Sequence, residues 1–216
     1  MIVLNLKTYQ QSLEKCLYFV DLAHAVVEDT GMRVVICPPS MYLRESAERF
    51  SEVFAQHADV NPPGAHTGEM PVEALKVAGV KGSLLNHSEK KLMLSLVKQT
   101  IERLHSHTLE SLACASTVQE VGAIAAFSPT YIAIEPPELI GKGISISTAK
   151  PEIITTSVKK IHEINRKIIP LCGAGVSNKE DVKKALELGS KGVLLASAFV
   201  NAKDPKKFLQ ELVSVF

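Results

Sequence analysis

The sequence carries almost no net charge: 24 basic side chains against 23 acidic over 216 residues leave +1. A nucleic-acid binder needs an excess of Lys and Arg on one face to neutralise phosphates, so that class is excluded. Long apolar runs are missing too. The longest, Gly192 to Val200, is about half the ~20 residues of a membrane span and is broken by Ser197. The opening MIVLNLK has no basic segment and no A-x-A site, so no secretory signal is expected. The four cysteines, Cys16, Cys37, Cys114 and Cys172, include no CxxC pair and do not form a disulfide framework in a chain this long. A reducing, cytoplasmic setting is the expectation. With no HExxH and no carboxylates at ligand spacing, no metal is inferred.

What the sequence does have is alternation. Short runs of Val, Ile, Leu and Cys end in polar or Gly/Pro residues, and a segment of helical period follows each. The strand-like runs are Ile2–Leu6, Val34–Cys37, Val53–Gln56, Ser83–Asn86, Ser111–Cys114, Tyr131–Ile134, Ile168–Leu171 and Val193–Leu195. Between them, Leu13, Leu17, Val20, His24 and Val27 fall on one helical face that stops before Gly31. Met93, Val97, Ile101 and Leu104 form a second stripe, and Phe208, Leu209, Leu212, Val213 and Phe216 a third. Ser177-Asn178-Lys179-Glu180 reads as a capping box opening a helix toward Gly189.

Strands alternating with helices imply right-handed βαβ units and a parallel sheet covered on both faces. Eight units at about 27 residues each fit a closed (β/α)8 barrel at the short end of its range. The alternative, an open doubly wound sheet, should carry a Gly-rich turn after the first strand, where this chain has Asn5-Leu6-Lys7-Thr8-Tyr9. The barrel is favoured. No Gly/Ser linker or charged block divides the chain, so residues 1–216 are read as a single domain.

Active sites of such barrels lie at the C-terminal strand ends. Side chains alternate along a strand, so turning Ile2, Leu4 and Leu6 toward the helices points Val3, Asn5 and Lys7 into the barrel mouth. By the same rule Ile132 and Ile134 face the helices, and Tyr131, Ala133 and Glu135 face inward. Either Lys7 and Glu135 share one polar site, which offsets the cost of burying each, or they are separate solvated charges at loop edges.

Strand four ends Leu84-Leu85-Asn86-His87 and runs into Ser88-Glu89-Lys90-Lys91, which reads as a helix start capped by Ser88. The positive end of that helix would keep His87 neutral and able to donate to a substrate oxygen; the alternative is a half-buried structural histidine. His24 and His162 fall within helices, His57 and His66 flank a loop, and His105 and His107 lie at a helix end. All six read as structural or solvated.

Two late segments, Leu171-Cys172-Gly173-Ala174-Gly175-Val176 and Leu195-Ala196-Ser197, follow strands seven and eight. Small residues there let backbone N–H groups approach phosphate oxygens, or serve as tight turns. After Glu135, prolines (Pro136, Pro137) and glycines (Gly141, Gly143) bracket Leu139 and Ile140, as expected of a lid between two stiff hinges.

NLK, VVICPP, GAHTGE, LLNHSEKK, IAIEPPELIGKG, LCGAG and VLLAS occur in this order over nearly the whole chain. Together they resemble the triosephosphate isomerase family, and the short length with CGAG and ELIG resembles its archaeal form. The resemblance implies interconversion of dihydroxyacetone phosphate and glyceraldehyde 3-phosphate, in glycolysis and gluconeogenesis, with no cofactor or metal. It assigns Glu135 as the base, His87 as the neutral electrophile, and Asn5 and Lys7 as the substrate-binding pair, with Lys7 also catalytic. The pairing of a Glu base with a neutral His is the family's own and is carried over with the likeness. Ile140, Gly175, Ala196 and Ser197 match positions that hold the phosphate, Pro136 to Gly143 matches the lid, and Glu89 a carboxylate near the site. Asn61 to Glu69 resembles the family's interdigitating loop, implying a homodimer or homotetramer. Two departures stand out: Lys142 lies where Thr is common, and Gly173-Ala174-Gly175 offers no hydroxyl where longer forms have a Gly-Gly-Ser type sequence.

Rival readings fit less well. An aldolase needs a Schiff-base lysine deep on a strand, and a metal-dependent epimerase needs His/Asp ligands at several strand ends; neither pattern is present. A catalytically silent phosphate-binding barrel remains the alternative that only turnover can separate.

Overall fold

The computed structural model describes residues 1–136 and 146–216, in which strands and helices alternate from end to end. The strands are β1 (Ile2–Asn5), β2 (Val34–Cys37), β3 (Phe54–Ala55), β4 (Gly82–Leu85), β5 (Glu110–Ala115), β6 (Tyr131–Ile134), β7 (Ile169–Cys172) and β8 (Val193–Leu195). All pair in parallel in the order β2-β1-β8-β7-β6-β5-β4-β3. The last seam, between β2 and β3, is the thinnest. A parallel bridge from Ile36 to Val53 and the Ile36 N–H donating to the Glu52 carbonyl at 3.0 Å close the barrel.

The period-2 alternation separates two cores. Val3, Val35, Phe54, Leu112, Tyr131 and Leu194 fill the barrel interior, while Ile2, Leu4, Ile36, Ile132 and Ile134 pack outward under the helices. Polar side chains tie the strand starts together at the N-terminal end. Arg33 reaches Glu52 at 2.7 Å and Glu110 at 2.9 Å, Tyr131 donates to Glu110, and Lys81 pairs with Glu52. That network spans the weakly paired β2–β3 seam, which backbone bonds alone would leave loosely held.

The helices are α1 (Gln10–Glu14), α2 (Cys16–Thr30), α3 (Leu43–Arg49), α4 (Val72–Ala78), α5 (Leu94–Ser106), α6 (Val118–Ala125), α7 (Ile146–Ala149), α8 (Pro151–Ile164), α9 (Lys179–Glu187), α10 (Ser197–Val200) and α11 (Pro205–Val213). Two expectations are corrected. The first helical segment is interrupted at Lys15 (φ −125°), and its buried face lies one residue from the expected stripe: Ser12, Cys16, Phe19, Val20, Ala23 and Val26 are buried, Leu13 is exposed, and Leu17, His24 and Val27 are half-buried. The capping box is shifted by one residue. Asn178 caps α9 by accepting the Asp181 N–H at 2.9 Å, and Asp181 reaches back to the Ser177 N–H at 2.9 Å. Among the described residues no helix is long and apolar enough to cross a membrane.

Candidate active site

Strand direction places the site. β1 and β6 end at the same rim, so the inward alternation read from the sequence delivers Lys7 and Glu135 to one cleft. The chain after β4 adds His87, and the turns after β7 and β8 add Gly175, Ala196 and Ser197. The cleft holds about 410 Å3. Six of the eight expected site residues line it. Asn5 lines an adjoining cleft that shares Lys7 and His87. Ile140, with most of the expected lid (137–143), lies outside the described residues.

Lys7 sits in the left-handed region (φ +47°), which costs a non-glycine residue about 1–2 kcal/mol unless its surroundings hold it there. They do. The Lys7 N–H donates to Asn5 Oδ1 at 3.0 Å, and Gln56 Nε2 donates to the Lys7 carbonyl at 2.9 Å and to the Cys37 carbonyl at 3.0 Å. The ammonium, largely buried, pairs with Glu89 Oε1 at 2.7 Å.

His87 is also largely buried. The Glu89 N–H donates to its Nδ1 at 3.2 Å, so Nδ1 is the acceptor and a neutral ring carries its proton on Nε2. Nε2 lies 3.7 Å from Glu135 Oε1. Burial pushes the His87 pKa below the ordinary 6.5, and the Lys7 charge pushes it further. The expected cause was different. No helix begins at Ser88: residues 88–93 form a turn and an extended stretch, and α5 starts only at Leu94. Burial and neighbouring cations, not a helix dipole, keep the imidazole neutral.

Glu135 is 1% exposed at the end of β6, its N–H donating to the Ala115 carbonyl at 2.8 Å. Among the described residues neither carboxylate oxygen accepts a hydrogen bond. Burial raises its pKa from 4.5 to about 8, with the Cys114 thiol and then the Lys7 charge opposing the rise. A carboxylate so poorly solvated is a stronger base than one in water, and the Lys7 charge tempers that gain.

Several cleft residues were not anticipated. Tyr9 and Asn201 line it beside the phosphate-type turns, and Gly173, read as part of a phosphate-approach segment or a tight turn, lies against the Glu135 side chain. The buried Cys114 thiol also borders that carboxylate. These are tertiary contacts with no local sequence signal. Among the described residues no group of three His, Cys, Asp or Glu side chains could hold a metal ion.

The triosephosphate isomerase family model matches residues 1–214. The chain is 44% identical to the triosephosphate isomerase of Methanothermus fervidus, over 99% of this chain and 97% of that one. It is 43% identical to the protein of the same name from Methanocaldococcus jannaschii (99% and 98%) and 42% to that from Methanosarcina barkeri (98% and 96%). With its barrel, its rim cleft and these relatives, the chain belongs to the triosephosphate isomerase family.

Proposed function

We propose that the protein interconverts dihydroxyacetone phosphate and D-glyceraldehyde 3-phosphate in glycolysis and gluconeogenesis, by proton transfer through an enediolate. The observation that carries this reading is the convergence of Lys7, His87 and Glu135 on one cleft walled by the turns after β7 and β8. Glu135 takes a proton from C1. The C–H electron pair becomes the C1–C2 double bond and the carbonyl π pair moves onto the C2 oxygen; the hydroxyl proton then passes from the C1 oxygen to the C2 oxygen, the C1 oxygen re-forms a carbonyl, and Glu135 returns its proton to C2. The developing oxyanion meets His87 Nε2–H and the Lys7 ammonium, donors fixed before the reaction begins.

Lys7 is available for this because its partner holds it weakly. Glu89 is 57% exposed, so water screens its side of the pair and competes for the carboxylate. Asn5 spends its Oδ1 on the Lys7 N–H, and among the described residues no hydrogen bond engages its Nδ2, which is the atom assigned to substrate. Gly175, Ala196 and Ser197, with Ile140, are assigned to the phosphate. Among the described residues no Lys or Arg apart from Lys7 lines the cleft, and the backbone N–H groups of the turns after β7 and β8 add positive potential.

The reading extends to assembly. Residues 62–69 are exposed, while the stem of their loop is tied by Asp59 to Met70 in both directions (2.9 and 2.7 Å) and by Asn61 to Glu69 at 3.0 Å. A stiff, projecting loop suits docking on a second copy, as a homodimer or homotetramer of single-domain chains in the cytoplasm. A coupled assay with glyceraldehyde 3-phosphate tests the proposal: steady turnover supports it, and its absence favours a silent phosphate-binding barrel.

A further inference from the structure

Between β4 and His87 stands Asn86, 1% exposed and held at φ +58°. Asn tolerates the left-handed region better than most residues, and here its side chain is also fully engaged. Nδ2 donates to the Cys114 carbonyl at 2.8 Å and to Glu120 Oε1 at 2.8 Å, and Oδ1 accepts the Leu92 N–H at 3.0 Å. Glu120, in the first turn of α6, receives two more donors: Lys91 Nζ at 2.6 Å and the Ser116 N–H at 2.7 Å. The segment 86–92 carries His87 and Glu89. It is therefore pinned at both ends to the corner between β5 and α6, and its turn is closed by the Lys90 N–H donating to the His87 carbonyl at 2.8 Å.

We infer that Asn86, clamped by Glu120, is a positioning residue that fixes the direction and tautomer of the His87 ring. This rests on the isomerase reading above. The ring is held from within the segment only by the Glu89 N–H on Nδ1, a contact that lasts only while the 87–90 turn keeps its shape. Without the clamp, the segment keeps the ion pair of the exposed Glu89 with Lys7 at 2.7 Å, a solvated tie that sets no backbone shape. Asn is the residue the position requires. Gly accepts the backbone angle but makes no side-chain bonds. Asp would set a carboxylate against both Glu120 and the Cys114 carbonyl.

The variants are Asn86→Gly, which keeps the backbone angle and loses the clamp, and Glu120→Gln, which keeps Asn86 and weakens its anchor. Two readouts apply: kcat and KM with glyceraldehyde 3-phosphate, and the 15N NMR signals of the His87 ring, assigned against His87→Gln. For Asn86→Gly, kcat should fall about tenfold to a hundredfold, the loss expected of a reacting group displaced by about 1 Å. KM should stay within about threefold, because the phosphate turns are untouched. The Nδ1 acceptor signature of His87 should give way to a mixture of tautomers. Glu120→Gln should move both readouts the same way by less, and it carries the test should Asn86→Gly fail to fold. A kcat within about threefold of wild type overturns the inference, as does a fall in kcat with the ring signals unchanged. If the wild-type protein does not turn over the substrate, the isomerase reading fails, and the ring signals alone still decide whether the clamp sets the tautomer.

Discussion

Gly173 and Glu135 lie so close that no side chain fits at 173: a Cβ there would stand 2.5 Å from Glu135 Cγ and 3.2 Å from Oε1. The Gly173 N–H also donates to the Ile134 carbonyl at 3.0 Å, so the backbone at 173 cannot retreat without breaking the β6–β7 seam. The carboxylate therefore owes its place to a missing methyl group on the neighbouring strand end.

Gly173→Ala should consequently displace Glu135 rather than the sheet. The expected result is a fall in kcat of about a hundredfold, with Tm lowered by only a few degrees. Steady-state kinetics and a thermal melt on the same preparation check this. A variant with wild-type kcat would mean that Glu135 is not confined by Gly173.

Burial of Glu135 also links activity to stability through pH. The base works only as a carboxylate, and burial raises its pKa to about 8, while His87, shifted downward, is already neutral there. The acidic limb of kcat/KM should therefore lie well above the ordinary carboxylate range. The sign for stability is opposite. A group whose pKa is higher folded than unfolded stabilises the fold below the unfolded value, and that contribution is lost as pH rises through the folded value. For Glu135 the window runs from 4.5 to about 8. Glu135→Gln, neutral throughout, should melt with wild type near about pH 5 and several degrees above it near about pH 9. Melting curves across that range check it, and a Tm difference that does not vary with pH would show the carboxylate to be solvated.

Lys7 and Glu89 make separable contributions. Lys7→Met removes the cation that faces both substrate and the Glu135 carboxylate, so kcat/KM should fall by at least about a hundredfold through both constants. Glu89→Gln removes only a solvated partner, with an expected effect within about tenfold. Equal losses in the two variants would indicate that the ion pair, not the ammonium, is what the reaction needs.

Much of this was legible in the sequence because strand period is rigid. Once Ile2, Leu4, Leu6, Ile132 and Ile134 are turned outward, Lys7 and Glu135 must point into the mouth, and they do. Helical faces were less legible. The stripe through Leu13, Leu17, Val20, His24 and Val27 caught Val20 and Val27 but was set one residue off, because the buried face runs through Ser12, Cys16, Phe19, Ala23 and Val26. His87 was correctly expected to be neutral, but for the wrong physical reason. The residues that looked like a helix start are drawn into the Asn86 clamp, so α5 begins only at Leu94. The roles of Asn86, Glu120 and Gly173 escaped notice because each acts through a contact with residues distant in the chain, which no local pattern announces.

The central claim is that the buried carboxylate at 135 moves the proton. The most direct test is kcat for Glu135→Ala with glyceraldehyde 3-phosphate, measured beside a binding assay for a triose phosphate analogue. A loss of about 10^2- to 10^4-fold or more with the analogue still bound is expected. Turnover within about tenfold of wild type in a folded variant would contradict the claim, because a cleft lacking that oxygen pair would then still be transferring the proton.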